Sequence, residues 1–201
     1  MTNSNSKTIQ SYEDHVQDYI DGTPQEISGQ IKIWIDESLS NLNKDAKIIE
    51  FGSANGRDAN YIKSLGYEIQ CTDATQAFVD LLKTKGFNAT SLNIITDDLD
   101  GPYDLIFAQA VLLHFTREEV KLVLEKVFKS LKPGGRFAFT LKQGEGEEWT
   151  NKKLGAPRFF CYWNQEQIEG YLNEVGFENI KITSDVSTKN ATWIQIISYK
   201  K

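Results

Sequence analysis

Two glycines four residues apart, Gly52 and Gly56, stand between two carboxylates, Glu50 and Asp58, and a further acid, Asp73, follows 21 residues after Gly52. Glycine has no Cβ, so a backbone built on it turns tightly and approaches a ligand closely. A dinucleotide-binding turn needs a third glycine near position 57 and a helix N-terminus left free for pyrophosphate. Here position 57 is arginine, and Glu50 and Asp58 put negative charge at the end of a strand and in the first turn of a helix, where pyrophosphate would be repelled. The same charges suit a ligand that carries an ammonium and a sulfonium and no phosphate, a description that S-adenosylmethionine fits. Asp73 ends the following strand, where a carboxylate accepts hydrogen bonds from both hydroxyls of a ribose. That spacing serves any adenosine cofactor, so the choice among them rests on the loop.

Three residues are candidate general bases: His114, Glu145 and Tyr162. His114, in Ala-Val-Leu-Leu-His-Phe, reads equally as a structural hydrogen-bonding group ahead of a helix. The run Gly144 to Glu148 lines an acceptor site or forms a solvated loop, and its charges favour the loop. Five aromatics in 15 residues, Trp149, Phe159, Phe160, Tyr162 and Trp163, mixed with Arg158 and Lys142, point to core packing in part and to a partly apolar acceptor pocket in part. Tyr12 and Tyr19 are candidate lid residues.

Other chemistries find little support. Two cysteines, Cys71 and Cys161, and two histidines, His15 and His114, provide no cluster at metal-ligand spacing, so reduced thiols and no metal are expected. A net charge of -6 with scattered basic residues argues against a nucleic-acid partner, because an acidic surface repels phosphate at long range. No stretch approaches the roughly 18 apolar residues of a membrane span, and the polar start from Met1 to Gln10 is unlike a signal peptide, so a cytoplasmic protein away from the membrane is expected. Oligomeric state is left open.

These groups need a frame to hold them. A helical segment over residues 1–44 carries two patterns, Tyr12, Val16, Tyr19 and Ile20 on one helix and Ile27, Ile31, Trp34, Ile35, Leu39 and Leu42 on a second, which Thr23, Pro24 and Glu26 would open as a capping box. From Lys47 short apolar runs alternate with amphipathic helices, the pattern of a doubly wound α/β domain with a mostly parallel sheet over residues 45–201. Strands are expected at Lys47 to Phe51, Glu68 to Thr72, Ala89 to Leu92, Tyr103 to Ala108 and Arg136 to Leu141. Thr116 with Glu119 caps one helix, Pro133-Gly134-Gly135 stops the chain before the next strand, and a last helix runs from Asn164 to Gly176. Ile180 to Thr183 and Thr192 to Ser198 then pair as a hairpin across the polar stretch Ser184 to Asn190.

Ile-Ile-Glu-Phe-Gly-Ser-Ala-Asn-Gly at 48 to 56, Thr-Asp-Ala-Thr at 72 to 75 and Leu-Lys-Pro-Gly-Gly at 131 to 135 resemble the class I S-adenosylmethionine-dependent methyltransferase family, over residues 45 to 200 in order. The resemblance implies a seven-stranded Rossmann-like sheet whose last strand is antiparallel. It implies that Glu50, Gly52, Ser53 and Gly56 surround the methionine part of the donor, with Ala54 in the same loop. Asp73 would hold the ribose, Ala74, Asn93 and Ile94 would meet the adenine, and Gln109 would face the methionine end. Two positions depart from the family. Ala54 stands in place of its second glycine and narrows the turn's range, and Asn93 stands where an acid is common.

The expected activity is in-line methyl transfer from S-adenosylmethionine to a small-molecule acceptor. Nothing like an Asn-Pro-Pro-Tyr tetrad occupies Gln109 to Leu112, which together with the acidic charge favours a small molecule. The alternatives are a non-catalytic S-adenosylmethionine-binding module, since a fold does not establish turnover, and an NAD-dependent oxidoreductase, which the loop argues against.

Overall fold

Strand residues of alternating direction divide the interior between two faces of one sheet. The computed structural model describes residues 3–188 and 191–201. Helices α1 (Asn3–Asp14), α2 (Val16–Asp21) and α3 (Gly29–Leu39) lead into β1 (Ile48–Phe51), α4 (Arg57–Ser64), β2 (Gln70–Asp73), α5 (Gln76–Thr84), β3 (Ala89–Ser91) and β4 (Tyr103–Ala108). A short 3-10 turn at Leu112–His114 precedes α6 (Arg117–Ser130), β5 (Leu131–Lys142), β6 (Glu147–Thr150), β7 (Arg158–Cys161), α7 (Gln165–Val175), β8 (Glu178–Ser187) and β9 (Thr192–Tyr199). The main sheet has seven strands in the order β3-β2-β1-β4-β5-β9-β8. β1 to β5 are parallel neighbours, while β9 runs antiparallel to both β5 and β8. This is the expected Rossmann-like sheet, and its order reverses between β1 and β4, the place where such sheets bind ligands.

Ile48, Leu105, Phe107, Ala138 and Ile197 point to one face and pack with Trp34 and Ile35 of α3, Ile62 of α4 and Leu82 of α5. Ile49, Ile106, Phe137, Phe139 and Ile196 point to the other, with Val123 and Leu124 of α6 and Leu172 of α7. The capping box of Thr116 and Glu119 is present, and Asn164 with Gln167 forms a second one. Gly176 closes α7 in the left-handed region at φ 105°.

The structure corrects several local expectations. The polar start is helical: α1 begins at Asn3 and buries Asn5, Thr8 and Ser11. Thr23 caps nothing. Its hydroxyl donates to the Tyr19 carbonyl at 2.6 Å and accepts from Lys153 Nζ at 2.7 Å, and α3 opens at Gly29 instead. Pro133 to Gly135 form a bulge inside β5, where the register against β4 shifts, rather than a stop before it. Charged Glu147 and Glu148 lie in β6, paired antiparallel with β7 as a separate ribbon. Of the polar stretch after Thr183, Ser184 to Ser187 continue β8, while Asn190 lies outside the described residues.

Candidate active site

The loop after β1 takes its shape from the left-handed residues the glycines supply. Gly52 sits at φ 63°, and a Cβ there would come within 2.5 Å of the Val111 side chain, so only glycine lets the loops after β1 and β4 close on each other. The Ser53 N–H donates to the Thr72 carbonyl at 2.9 Å, and the Gly56 N–H to the Ser53 carbonyl at 2.8 Å. Gly56, at φ 79°, has Leu82 and Phe87 atoms 2.9 Å from where a Cβ would be, so its smallness serves packing against α5. Ala54, at φ 46°, adopts the left-handed conformation without being glycine.

Asp73 ties this loop to β2. Its two carboxylate oxygens accept the N–H groups of Ala54 and Thr75, each at 2.9 Å. Burial nonetheless raises its pKa to about 6, against the pull of those N–H donors. Glu50, one residue before the end of β1, is 2% exposed, and its Oε2 has no hydrogen-bond partner, nor has the buried Oγ of Ser53 three residues on. Burial and then the nearby charge of Asp58 push Glu50 up to about 8. Buried polar atoms without partners cost free energy unless a ligand satisfies them. An ammonium-bearing ligand would satisfy Glu50, so these residues fit the amino-acid end of S-adenosylmethionine.

One cavity lies over the C-terminal ends of β1, β2 and β4. Of the residues expected at the site, Gly52, Ala54, Asp73, Ala74, Asn93, Ile94, Gln109 and His114 line it. Glu50, Ser53 and Gly56 do not reach its wall. Glu145 and Tyr162 lie apart from it. Glu145 is exposed in the turn before β6, and the Tyr162 hydroxyl donates to Glu148, with burial foremost in raising its pKa to about 12. Neither is placed to act as a base on a ligand in the cavity.

His114 is placed there. Its Nδ1 lies 2.7 Å from the Phe159 carbonyl, which can only accept, so Nδ1 carries the proton and Nε2 accepts from the Tyr12 hydroxyl at 2.9 Å. Burial, followed by the cations Arg158, Lys142 and Lys153, lowers its pKa to about 3 despite the Phe159 bond, so the ring is neutral. Tyr12 also accepts from Arg158 Nη1 at 3.1 Å. Arg158 is buried with its Nε unpartnered. Lys142 stands 3.9 Å from the Phe160 ring centre and Lys153 3.9 Å from that of Tyr19. Among the described residues none of these three cations forms an ion pair.

The sequence reading missed the roof of the cavity. Asn5, Thr8 and Ile9 of α1 join Tyr12 and Tyr19 over it, and Phe78 and Val111 complete its apolar wall. Asn93 turns toward that roof, donating to Asn5 Oδ1 at 2.8 Å while its own Oδ1 accepts from the Ile95 N–H at 3.2 Å. No apolar periodicity marks the buried face of α1, so hydrophobic patterning had no signal to offer.

Among the described residues no group of acids, cysteines and histidines could hold a metal ion, and no helix is long and apolar enough to cross a membrane. A family model described as a methyltransferase domain matches residues 26–182. Phosphoethanolamine N-methyltransferase of Plasmodium falciparum is 23% identical over 156 residues, which cover 73% of this chain and 58% of that protein, so the chain spans little more than half the length of this relative. Among solved structures, a SAM-dependent methyltransferase of Methanosarcina mazei superposes with a TM-score of 0.68 at 17% identity, covering 87% of this chain and 98% of its own. Haemonchus contortus phosphoethanolamine N-methyltransferase 2, in complex with S-adenosyl-L-methionine, gives 0.77 at 11% identity over 100% of this chain and 60% of its own. Burkholderia thailandensis 1,6-didemethyltoxoflavin-N1-methyltransferase gives 0.72 at 15% identity, over 98% and 86%. The structural likenesses share the fold, and the family model spans more than half of the sequence: the chain belongs to the methyltransferase domain family.

Proposed function

We propose that this chain methylates an amine nitrogen of a small molecule that also carries an anionic group. The donor would lie along the loop after β1, with Glu50, Gly52, Ser53 and Ala54 at its methionine end, Asp73 on the ribose, and Ala74, Asn93, Ile94 and Gln109 along the rest of the wall. When bound, it supplies the methyl group on its sulfonium. Residues 1–44 contribute a lid, through α1 and α2, whose Tyr12 and Tyr19 close the site.

The observation that carries the acceptor class is the set of cations. Arg158, Lys142 and Lys153 converge on His114 without ion-pair partners among the described residues, and the unpartnered Arg158 Nε is buried. Concentrated positive charge of this kind is stabilised by an anion. The name of the Plasmodium relative, whose acceptor joins a phosphate to an amine, agrees with this reading. The chain's own contribution to catalysis would be alignment of two reactants, the largest resource open to an enzyme that forms no covalent intermediate. An acceptor ammonium must shed a proton before its nitrogen can attack. With the His114 ring held neutral by burial, that proton would be lost to solvent before binding, and the Tyr12 oxygen, fixed by its 2.9 Å donation to His114 Nε2, would accept from an N–H of the free amine and aim its lone pair.

Calorimetric titration tests the donor assignment. Wild-type protein is expected to bind S-adenosylmethionine and S-adenosylhomocysteine and not NADH. Asp73→Ala removes two charge-assisted hydrogen bonds to the ribose, about 1.5 to 3 kcal/mol each, and is expected to weaken binding at least a hundredfold. Unchanged affinity would refute the ribose role. Methyl transfer to phosphoethanolamine and related amino phosphates, against the same amines without the phosphate, tests the acceptor class, and equal rates would remove it.

A further inference from the structure

Two alanines on the cavity wall, Ala54 and Ala110, are held in the left-handed region, at φ 46° and φ 57°. Resting on the donor site proposed above, we propose that Thr140 is a positioning residue, whose hydroxyl pins Ala110 in that strained conformation and so sets the wall from Gln109 to Val111 against the donor.

β4 and β5 pair in parallel as far as Ala108 opposite Phe139, and Thr140 is the next residue of β5. There the chain of β4 leaves the sheet. The Ala110 N–H donates to Thr140 Oγ1 at 2.9 Å, a side-chain bond in place of a ladder bond. Thr140 is fully buried, and its strand is fixed on the far side by β9, where it pairs with Gln195. The acceptor therefore cannot follow the loop, and the loop must come to the acceptor. An L-residue stays in the left-handed region only where its surroundings offset the contact between Cβ and backbone. Ala54 is held in the same way, by the bond from its N–H to Asp73. Each of these two alanines thus follows one strand and is fixed by a side-chain acceptor on the neighbouring strand, β2 for Ala54 and β5 for Ala110.

The turn at Ala110 has consequences on both sides of it. Gln109 and Val111 line the cavity. Val111 Cγ2 lies 2.5 Å from where a Cβ on Gly52 would stand, so the loops after β1 and β4 meet with no room to spare. The Val111 carbonyl accepts the His114 N–H at 3.0 Å, within the 3-10 turn that brings His114 to the cavity. A return of Ala110 to negative φ would redirect the chain at Val111, and with it the wall that faces both the donor loop and His114.

The test measures S-adenosylmethionine affinity by calorimetry and stability by urea unfolding, both on the full chain. Thr140→Val keeps the shape and removes the acceptor, and it is expected to weaken binding about tenfold, the weight of one hydrogen bond. Thr140→Ser keeps Oγ and is expected to bind within about threefold of wild type. Adding Ala110→Gly to Thr140→Val is expected to restore most of the lost affinity, because glycine holds the left-handed conformation without a pin. That suppression separates positioning from support of the fold. If the valine variant does not fold, Thr140→Ala, alone and with Ala110→Gly, carries the same expectations. Lower stability with unchanged affinity would mean that the bond only supports the fold. A loss of affinity that glycine does not restore would mean that Thr140 acts other than through Ala110, and either result overturns the proposal. Wild-type protein that binds no S-adenosylmethionine would overturn the donor site itself, and the proposal with it.

Discussion

Ala54 shows how much a single residue can cost a loop. An L-residue held at φ 46° loses about 1 kcal/mol or more to contact between its Cβ and the backbone, a penalty that glycine escapes. Glycine surrenders about 0.5 to 1 kcal/mol of extra chain entropy on folding, so the two effects partly cancel. Ala54→Gly is therefore expected to be neutral to about 1 kcal/mol stabilising in urea unfolding, with donor affinity kept, since the Ala54 N–H bond to Asp73 survives. A clear loss of stability would show that the alanine methyl makes a contact worth more than its strain. Glu50 makes a pH prediction of definite sign. Its native pKa, raised to about 8 by burial and Asp58, exceeds the ordinary 4.5, so the native state holds a proton that the unfolded chain releases. Stability from this group is greatest at low pH and is lost as pH rises toward 8. Asp73, raised to about 6, pulls the same way at lower pH, while His114, lowered to about 3, opposes both below its ordinary 6.5. From pH 6.5 to 8 Glu50 carries the main slope, opposed toward the upper end by Lys153, which burial and then Arg158 lower to about 8. Unfolding free energy of the ligand-free protein is expected to fall there by up to about 2 kcal/mol, at about 1.4 kcal/mol per pH unit, and Glu50→Gln should flatten the slope. A slope unchanged in the glutamine variant would assign the titration elsewhere.

Among the elements, α1 is docked by polar groups. Its buried Thr8 accepts from the Phe159 N–H at 3.1 Å, Ser11 donates to the Pro157 carbonyl at 2.7 Å, and Asn5 accepts from Asn93. Glu13 reaches farther and accepts from the Ala77 N–H at 3.1 Å, capping the first turn of α5, whose own N-cap Thr75 makes no side-chain cap bond. A carboxylate at a helix N-terminus also meets the positive end of the helix dipole. Glu13→Ala is expected to cost about 1 kcal/mol and to speed amide exchange in α1 and the start of α5 together, as seen by mass spectrometry. Faster exchange in α1 alone would show that the cap contributes nothing to α5. The same contacts explain what the sequence concealed. Capping boxes at Thr116 and at Asn164 are local, both partners lying within four residues, so one was readable outright and the other helix was placed by its own opening residue. The box at Thr23 had equally good local form, but Tyr19 and Lys153, 130 residues away, claim the hydroxyl. The β6–β7 ribbon was unreadable for a related reason, because exposed Glu147 and Glu148 carry the pattern of a solvated loop. Gly52, Ala54, Asp73 and Ala74, which line the cavity on the loops after β1 and β2, were legible because glycine and acid mark tight strand-to-helix turns locally. The roof was not, since a polar helix gives no amphipathic signal.

At the scale of the molecule, the sheet is a partition that both sets of helices need. Each strand from β1 to β9 that crosses the centre gives alternate residues to opposite cores, so neither core can form unless the sheet has formed. Single-domain cooperativity follows as an expectation, with the two cores melting in one transition. Leu124 is fully buried against one face and Ile62 against the other. Truncation of either to alanine removes apolar contacts and leaves a cavity, a change that costs about 2 to 5 kcal/mol, and for a chain of 201 residues about 1 kcal/mol corresponds to a shift of about 2 to 4 °C in midpoint. Two buried indoles report on the faces separately, Trp34 within the core of α3 to α5 and Trp163 within that of α6 and α7. Leu124→Ala and Ile62→Ala are each expected to lower the midpoint by about 10 °C, with circular dichroism and tryptophan fluorescence, read in backgrounds that keep only Trp34 or only Trp163 of the four tryptophans, moving together. If Leu124→Ala released Trp163 while Trp34 stayed in its native environment, the two faces would be independent folding units. The loop after β1, which leads from an interior strand into α4, would then owe its stability to the α3–α5 face alone.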